Sequence, residues 1–200
     1  MQDNDALSVF EQHGPTLTAQ IARQHGLHWE DLYRLRDADA IDELSRGVFR
    51  LATAPPVEQL DVVAVLARAP KAIACLATAA SIWELTDEIP RTVHIAVARG
   101  THRPRIDWPS TTVHVFKTTT FDVGQEKLEL STGEAITLYS PERTVVDIIR
   151  LAHRESSEPL GELINRYLRR TGATPAKLLD MARKFNAVNS VRRILEVVVP

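Results

Sequence analysis

One cysteine in 200 residues, Cys75, leaves no partner for a disulfide within the chain. Its surroundings, Ala72-Ile73-Ala74-Cys75-Leu76-Ala77, read as a buried helix holding a small structural thiol and not a nucleophile. Glycine is sparse: eight residues stand singly and form neither a dinucleotide fingerprint nor a Walker loop, which argues against phosphate cradling by backbone amides. The histidines, His13, His25, His28, His94, His102, His114 and His153, include no pair at zinc-ligand spacing, so no metal and no other cofactor is expected. No nucleophile stands beside a base, and no set of carboxylates suited to a metal-dependent nuclease can be assembled, so the expectation is a protein that is not an enzyme. Apolar runs fall short of a membrane span, and the polar, acidic opening Met1-Gln2-Asp3-Asn4-Asp5 does not read as a secretory leader. A cytoplasmic protein without membrane contact is therefore expected.

Charge of one sign is also missing, since 24 Lys and Arg stand against 26 Asp and Glu. Nothing global announces a nucleic-acid or anionic-membrane partner. Hydrophobic content of 44% is ample for a core in each of two small domains. Ala54-Pro55-Pro56, with its consecutive prolines, is the expected boundary, giving domains of 1–53 and 57–200.

The most informative stretch is 16–51. Thr18 suits the cap of a short helix that carries Ile21 and Ala22 inward and ends at Gly26. His28 opens a second helix in which Trp29, Leu32 and Leu35 recur on one face, leaving Glu30, Asp31, Arg34 and Asp37 outward. Apolar alternation from Ile41 to Leu51 around Ser45-Arg46-Gly47 predicts a two-stranded ribbon, and an earlier helix over 6–12 completes a three-helix core. Together these elements predict a winged helix-turn-helix, whose second helix enters a DNA major groove. Against this, 1–53 holds five arginines and nine acids, a net of minus four. Such a domain binds DNA weakly alone, and a protein-docking role stays open.

The rear half predicts helices over 57–67 and 72–85 and strands over 92–97 and 111–116. Shorter strands follow at 121–123, 127–130 and 136–139, and then helices beginning at Ser140 and over 160–170, 175–185 and 190–199. The fold class is therefore α+β: an N-terminal winged helix-turn-helix domain plus a C-terminal domain with a small, mostly antiparallel sheet and several helices. Two groupings in it are candidates for function. The loop Arg99-Gly100-Thr101-His102-Arg103-Pro104-Arg105 is dense enough in arginine to grip phosphates or an acidic protein face, or is simply a solvated loop. Within Ser140-Pro141-Glu142-Arg143-Thr144-Val145-Val146-Asp147-Ile148-Ile149-Arg150, ion pairs at helical spacing predict a structural role.

Four marks in order along 16–150 resemble the AbiEi-type antitoxin family, the antitoxin partners of bacterial nucleotidyltransferase-like toxins. They are Ser45-Arg46-Gly47-Val48-Phe49-Arg50-Leu51, Trp83-Glu84-Leu85-Thr86-Asp87-Glu88-Ile89-Pro90, Val97-Ala98-Arg99-Gly100-Thr101, and Tyr139-Ser140-Pro141-Glu142-Arg143-Thr144-Val145-Val146-Asp147. The resemblance implies an N-terminal domain that represses the toxin-antitoxin operon by binding its promoter, and a C-terminal domain that counteracts the toxin, with or without direct contact. By that resemblance Thr18 and Gln20 lie near the DNA backbone, His28 and Arg34 on the recognition helix, and Arg46 and Arg50 on the wing. The acidic front departs from this pattern and calls for two copies on paired half-sites, or for help from Arg99, Arg103 and Arg105. The alternative is a winged-helix transcription regulator with a ligand- or protein-sensing C-terminal domain and no toxin partner.

Overall fold

Short apolar periods separated by glycine and proline turns produce an α+β chain. The computed structural model describes residues 3–155 and 159–198, and leaves the side chains of Asn4 and 153–155 undescribed. The first two residues of the acidic opening (Met1, Gln2) and the end of the last expected helix (Val199) lie outside the described residues.

Two compact units emerge. The first comprises 1–71 with the segments 103–111 and 127–136, and the second comprises 72–102, 112–126 and 137–200. The expected boundary at 54–56 thus falls inside the first unit. The cause is α4 (Leu60–Arg68), which packs against the strands before it and buries Val62, Val63, Ala64 and Val65.

In the first unit the order is α1 (Asp3–His13), β1 (Thr16–Thr18), α2 (Ala19–Gln24), α3 (Trp29–Asp37), β2 (Ile41–Ser45), β3 (Val48–Leu51) and α4. β1 and β2 flank β3 in an antiparallel three-stranded sheet, with Leu17 opposite Phe49 and Ile41 opposite Leu51. Its core gathers Ala6, Phe10, Leu17, Ala22, Leu27, Leu32, Leu35, Ile41 and Phe49. Thr18 caps α2, accepting from the Ile21 amide at 3.2 Å. Gly26 takes φ +92°, a left-handed value that costs a Cβ-bearing residue energy, and Leu27 behind it is buried.

Three side chains in this unit are rotated from their expected faces. Trp29 is 42% exposed and Ile21 40% exposed, whereas Asp31 is buried with Leu32 and Leu35. The physical reason is the helix start: Asp31 sits three residues after the cap, where its carboxylate accepts from the His28 amide at 2.9 Å. That hydrogen bond turns Asp31 toward the protein and Trp29 away from it.

The second unit builds on a five-stranded sheet of order β6-β5-β4-β8-β7. Its strands are β4 (Ile73–Ala74), β5 (Val93–Ala98), β6 (Thr111–Phe116), β7 (Gln125–Glu129) and β8 (Ala135–Tyr139), of which Thr111 of β6, residues 127–129 of β7 and residues 135–136 of β8 are counted in the first unit. β4 pairs antiparallel with β5 and parallel with β8, so the sheet is mixed at its centre. Helices α5 (Leu76–Ile82), α6 (Thr118–Phe121), α7 (Pro141–Glu155), α8 (Leu160–Arg169), α9 (Pro175–Lys184) and α10 (Val188–Val198) complete the unit.

The alanine-rich run expected as one helix over 72–85 is a strand followed by a helix. Ile73 pairs with Ala96, Ala74 pairs with Ile95, and the Cys75 amide donates to the His94 carbonyl at 3.0 Å. Here sheet pairing outweighs the helix preference of alanine. Cys75 is buried, but at the helix cap. The strand expected at 121–123 is replaced by the one-turn helix α6 and the bend that follows it.

Candidate functional site

α2 and α3 follow one another across the Gly26 turn, and the outward side of α3 presents Trp29, Glu30, Tyr33, Arg34 and Asp37. Trp29 and Tyr33 stack with ring centroids 5.9 Å apart, and the Arg36 guanidinium lies 4.9 Å from the Tyr33 ring centre. The charged groups of this helix are engaged with one another. Arg34 pairs with Asp3 of α1 at 2.7 Å and with Asp31 at 2.9 Å while 44% of its side chain stays exposed. Arg36 pairs with Asp37 at 2.9 Å and Glu43 at 3.4 Å. The His28 amide above all, and then Arg34, hold the Asp31 carboxyl below the usual carboxylate range, against burial that pushes it up.

The β2–β3 turn is tied down on several sides. Glu43 accepts from the Gly47 amide at 2.8 Å, and the Ser45 hydroxyl donates to the Trp108 carbonyl at 2.6 Å. Arg68 of α4 donates to the Arg46 carbonyl at 2.9 Å and to the Arg105 carbonyl at 3.4 Å. These bonds bring Arg46, Arg68 and Arg105 around one turn, with the Arg46 and Arg105 side chains exposed. The unit as a whole nonetheless holds ten basic and fourteen acidic side chains. Three of those ten basic residues meet at this turn, where the Glu43 carboxylate also lies.

The expected site residues are distributed as follows. Gln20, His28, Arg34 and Arg46 are exposed on α2, the α3 cap, α3 and the turn, and Thr18 is half-buried in its capping role. Arg50, expected on the wing's contact surface, is 5% exposed and is a structural residue. It donates to Glu134 and to the Thr16 hydroxyl, both at 2.7 Å, and to the Pro55 carbonyl at 2.9 Å. A guanidinium buried beside a carboxylate has no freedom to reach a phosphate. Arg103 and Arg105 belong to the first unit and Arg99 to the second; all three are exposed.

Sequence reasoning missed Arg68, which stands outside the expected domain, and the outward aromatic pair Trp29 and Tyr33. An aspartate three residues after a helix cap was the available signal for the second, because such a residue turns inward when it completes a capping box.

In the second unit, the motif over 140–150 forms an interior junction. Arg143 and Asp147 are fully buried and bonded at 2.7 Å, and Asp147 also accepts from Arg150 at 2.7 Å. Arg143 donates to the Thr120 and Val123 carbonyls at 2.9 and 2.6 Å and lies 4.1 Å from both the Tyr139 and the Phe185 ring centres. These bonds join α7 to the segment before β7, the structural role that the helical spacing predicts. His94 and His114 stack on neighbouring strands with Nδ1 and Nε2 3.0 Å apart. Among the described residues no group of three or more His, Cys, Asp or Glu is placed to hold a metal ion. An open cleft of about 570 Å³ is lined by Glu84, Arg166, Arg169, Arg170 and Thr171. Arg166 there is paired with Asp87 and with Glu162, and Arg170 donates to the Trp83 carbonyl. No helix among the described residues is long and apolar enough to cross a membrane.

No family model matches the chain, and no curated protein does. Among solved structures the chain is similar to the crystal structure of the RV2827C protein from Mycobacterium tuberculosis, with a TM-score of 0.61 and 13% identity over 96% of this chain and 78% of that one. At that identity the likeness is one of fold alone: the α+β architecture described above is shared with that protein.

Proposed function

We propose that the first unit is a winged helix-turn-helix that binds duplex DNA, and that the chain is a non-enzymatic antitoxin. In this reading it represses its own operon and counteracts a nucleotidyltransferase-like toxin. The observation that carries the DNA part is the succession of α2, the Gly26 turn and an outward-facing α3, followed by a hairpin whose turn gathers Arg46, Arg68 and Arg105. A helix of nine residues is about 13 Å long, enough to lie along a major groove, while arginines on the adjoining turn reach the flanking phosphates. The unit counted whole stays at a net of minus four, so in this reading the phosphate contacts come from the local grouping of Arg46 and Arg105 at the turn and from a second copy on the duplex. The antitoxin part rests on the ordered motifs over 16–150, and two copies on paired half-sites would double the few phosphate contacts each unit offers.

The test is co-expression of the chain with the product of its adjacent gene, scored for growth, together with titration of the DNA upstream of its own coding sequence. Rescue of growth and salt-sensitive binding that Arg46→Ala weakens are expected. Growth unchanged by the chain would remove the antitoxin reading and leave the transcription regulator. Absence of binding at low salt would remove the DNA reading.

A further inference from the structure

The groove-facing side of α3 is unusual for a DNA reader because its guanidiniums are already committed. Arg34 is held by Asp3 and Asp31, and Arg36 by Asp37 and Glu43. Outward at the N-terminal end of the helix, where an inserted helix makes its base contacts, lie His28, Glu30 and the stacked pair Trp29 and Tyr33, the two rings exposed at 42% and 43%. Trp29 also reaches the arginine-bearing turn: a methyl added at Gly47 would lie 4.0 Å from the far edge of its ring.

We infer that Trp29 and Tyr33 are specificity-determining residues that read the C5-methyl groups of thymine in the major groove. The inference rests on the DNA-binding reading above. The carbon faces of these rings find their apolar partner among the base edges in the thymine methyl; cytosine offers only a C5–H at the same position, and the remaining edge groups are hydrogen-bond donors or acceptors. The size of the patch supports this occupant over a second copy of the chain. Trp29 and Tyr33, exposed at about two-fifths, offer on the order of 200 Å², against the ~800 Å² per partner that a stable protein interface buries. That area suits a few methyl groups. Arg46 and Arg105, whose side chains are exposed beside the same turn, would supply the phosphate contacts that aromatic rings cannot, while the Arg68 guanidinium holds their carbonyls.

The experiment uses the full chain and four duplexes of about 30 base pairs, roughly three helical turns: dA·dT, dA·dU, dG·dC, and dG·dC carrying 5-methylcytosine. Uracil removes only the methyl from thymine, and 5-methylcytosine places the same methyl on a G·C pair. Burial of one methyl is worth about fourfold in affinity. Wild type is therefore expected to bind dA·dT at least fourfold tighter than dA·dU, and methylated dG·dC tighter than unmethylated. Trp29→Ala and Tyr33→Ala should flatten both differences, and should they not fold, the four wild-type titrations decide alone. Equal wild-type affinity within each pair overturns methyl reading while leaving DNA binding intact. No binding to any duplex at low salt overturns both. A wild-type dimer that Trp29→Ala converts to monomer assigns the patch to self-association and overturns the inference.

Discussion

Replacing Arg50 by alanine separates a structural arginine from one that contacts DNA. Its guanidinium is 6% exposed, bonded to Glu134 at 2.7 Å, and holds the Thr16 hydroxyl and Pro55 carbonyl as well. Removing it leaves Glu134, 13% exposed, without its cation. Breaking one side of a buried pair costs about 3–5 kcal/mol. The lower figure applies here, because Thr132 still donates to Glu134 at 2.7 Å and the carboxyl can take up a proton. For a chain of 200 residues, ~3 kcal/mol corresponds to a fall in Tm of roughly 6–12 °C. Thermal unfolding followed by circular dichroism measures it. The paired replacement Arg50→Met with Glu134→Leu should recover to within about 1 kcal/mol of wild type, since apolar packing commonly substitutes for a buried ion pair. An Arg50→Ala protein of unchanged Tm and reduced DNA affinity would refute the reasoning and return Arg50 to the contact surface.

Further outcomes follow from the same geometry. Burial pushes the Glu134 carboxyl up, but Arg50, Thr132 and Thr16 together hold it below the glutamate range. A carboxyl lowered in the folded state stabilises above its unfolded pKa of about 4.3 and loses that contribution as pH falls through the lower folded value. Urea midpoints between pH 6 and 3 should accordingly drop faster for wild type than for the Arg50→Met, Glu134→Leu protein, and parallel curves would argue against the pair. Asp147→Asn leaves the fully buried Arg143 without its counter-charge and should cost about 3–5 kcal/mol in urea unfolding, whereas a loss below about 1 kcal/mol would mean that the Tyr139 and Phe185 rings suffice. Gly124→Ala should destabilise by more than the ~1 kcal/mol of an unfavourable backbone alone, because at φ +75° its new methyl would meet Arg143 Cβ at 2.8 Å. Asp31→Ala removes the carboxylate that accepts from the His28 cap amide and one partner of Arg34, with an expected cost of ~1–2 kcal/mol that a melting curve would show.

Local signals carried much of this architecture. Thr18 and Thr174 cap helices as their hydroxyls suggest, and Pro141 and Pro175 open helices where a missing amide is harmless. The alternating apolar residues of 93–98 and 111–116 pair as strands. What sequence could not convey depends on partners distant in the chain. Ile73 and Ala74 become a strand only because β5 and β8 flank them. Arg50 is buried because Glu134, 84 residues away, comes to meet it. Arg68 joins the candidate site because α4 packs back on the first sheet, across prolines that look like a boundary. Trp29 was hidden by a register that differs by a fraction of a turn, and in a nine-residue helix that fraction exchanges an indole for a carboxylate.

The central claim, that the first unit grips a duplex through its α3 helix and the arginines of its turn, is most directly tested by the salt dependence of binding. The full chain would be titrated with DNA from upstream of its own coding sequence between about 50 and 200 mM salt, beside Arg46→Ala. The account predicts a linear fall of log K with log salt, and a slope smaller by about one in Arg46→Ala. No measurable binding at the low-salt end, or a slope identical in the two proteins, would contradict it.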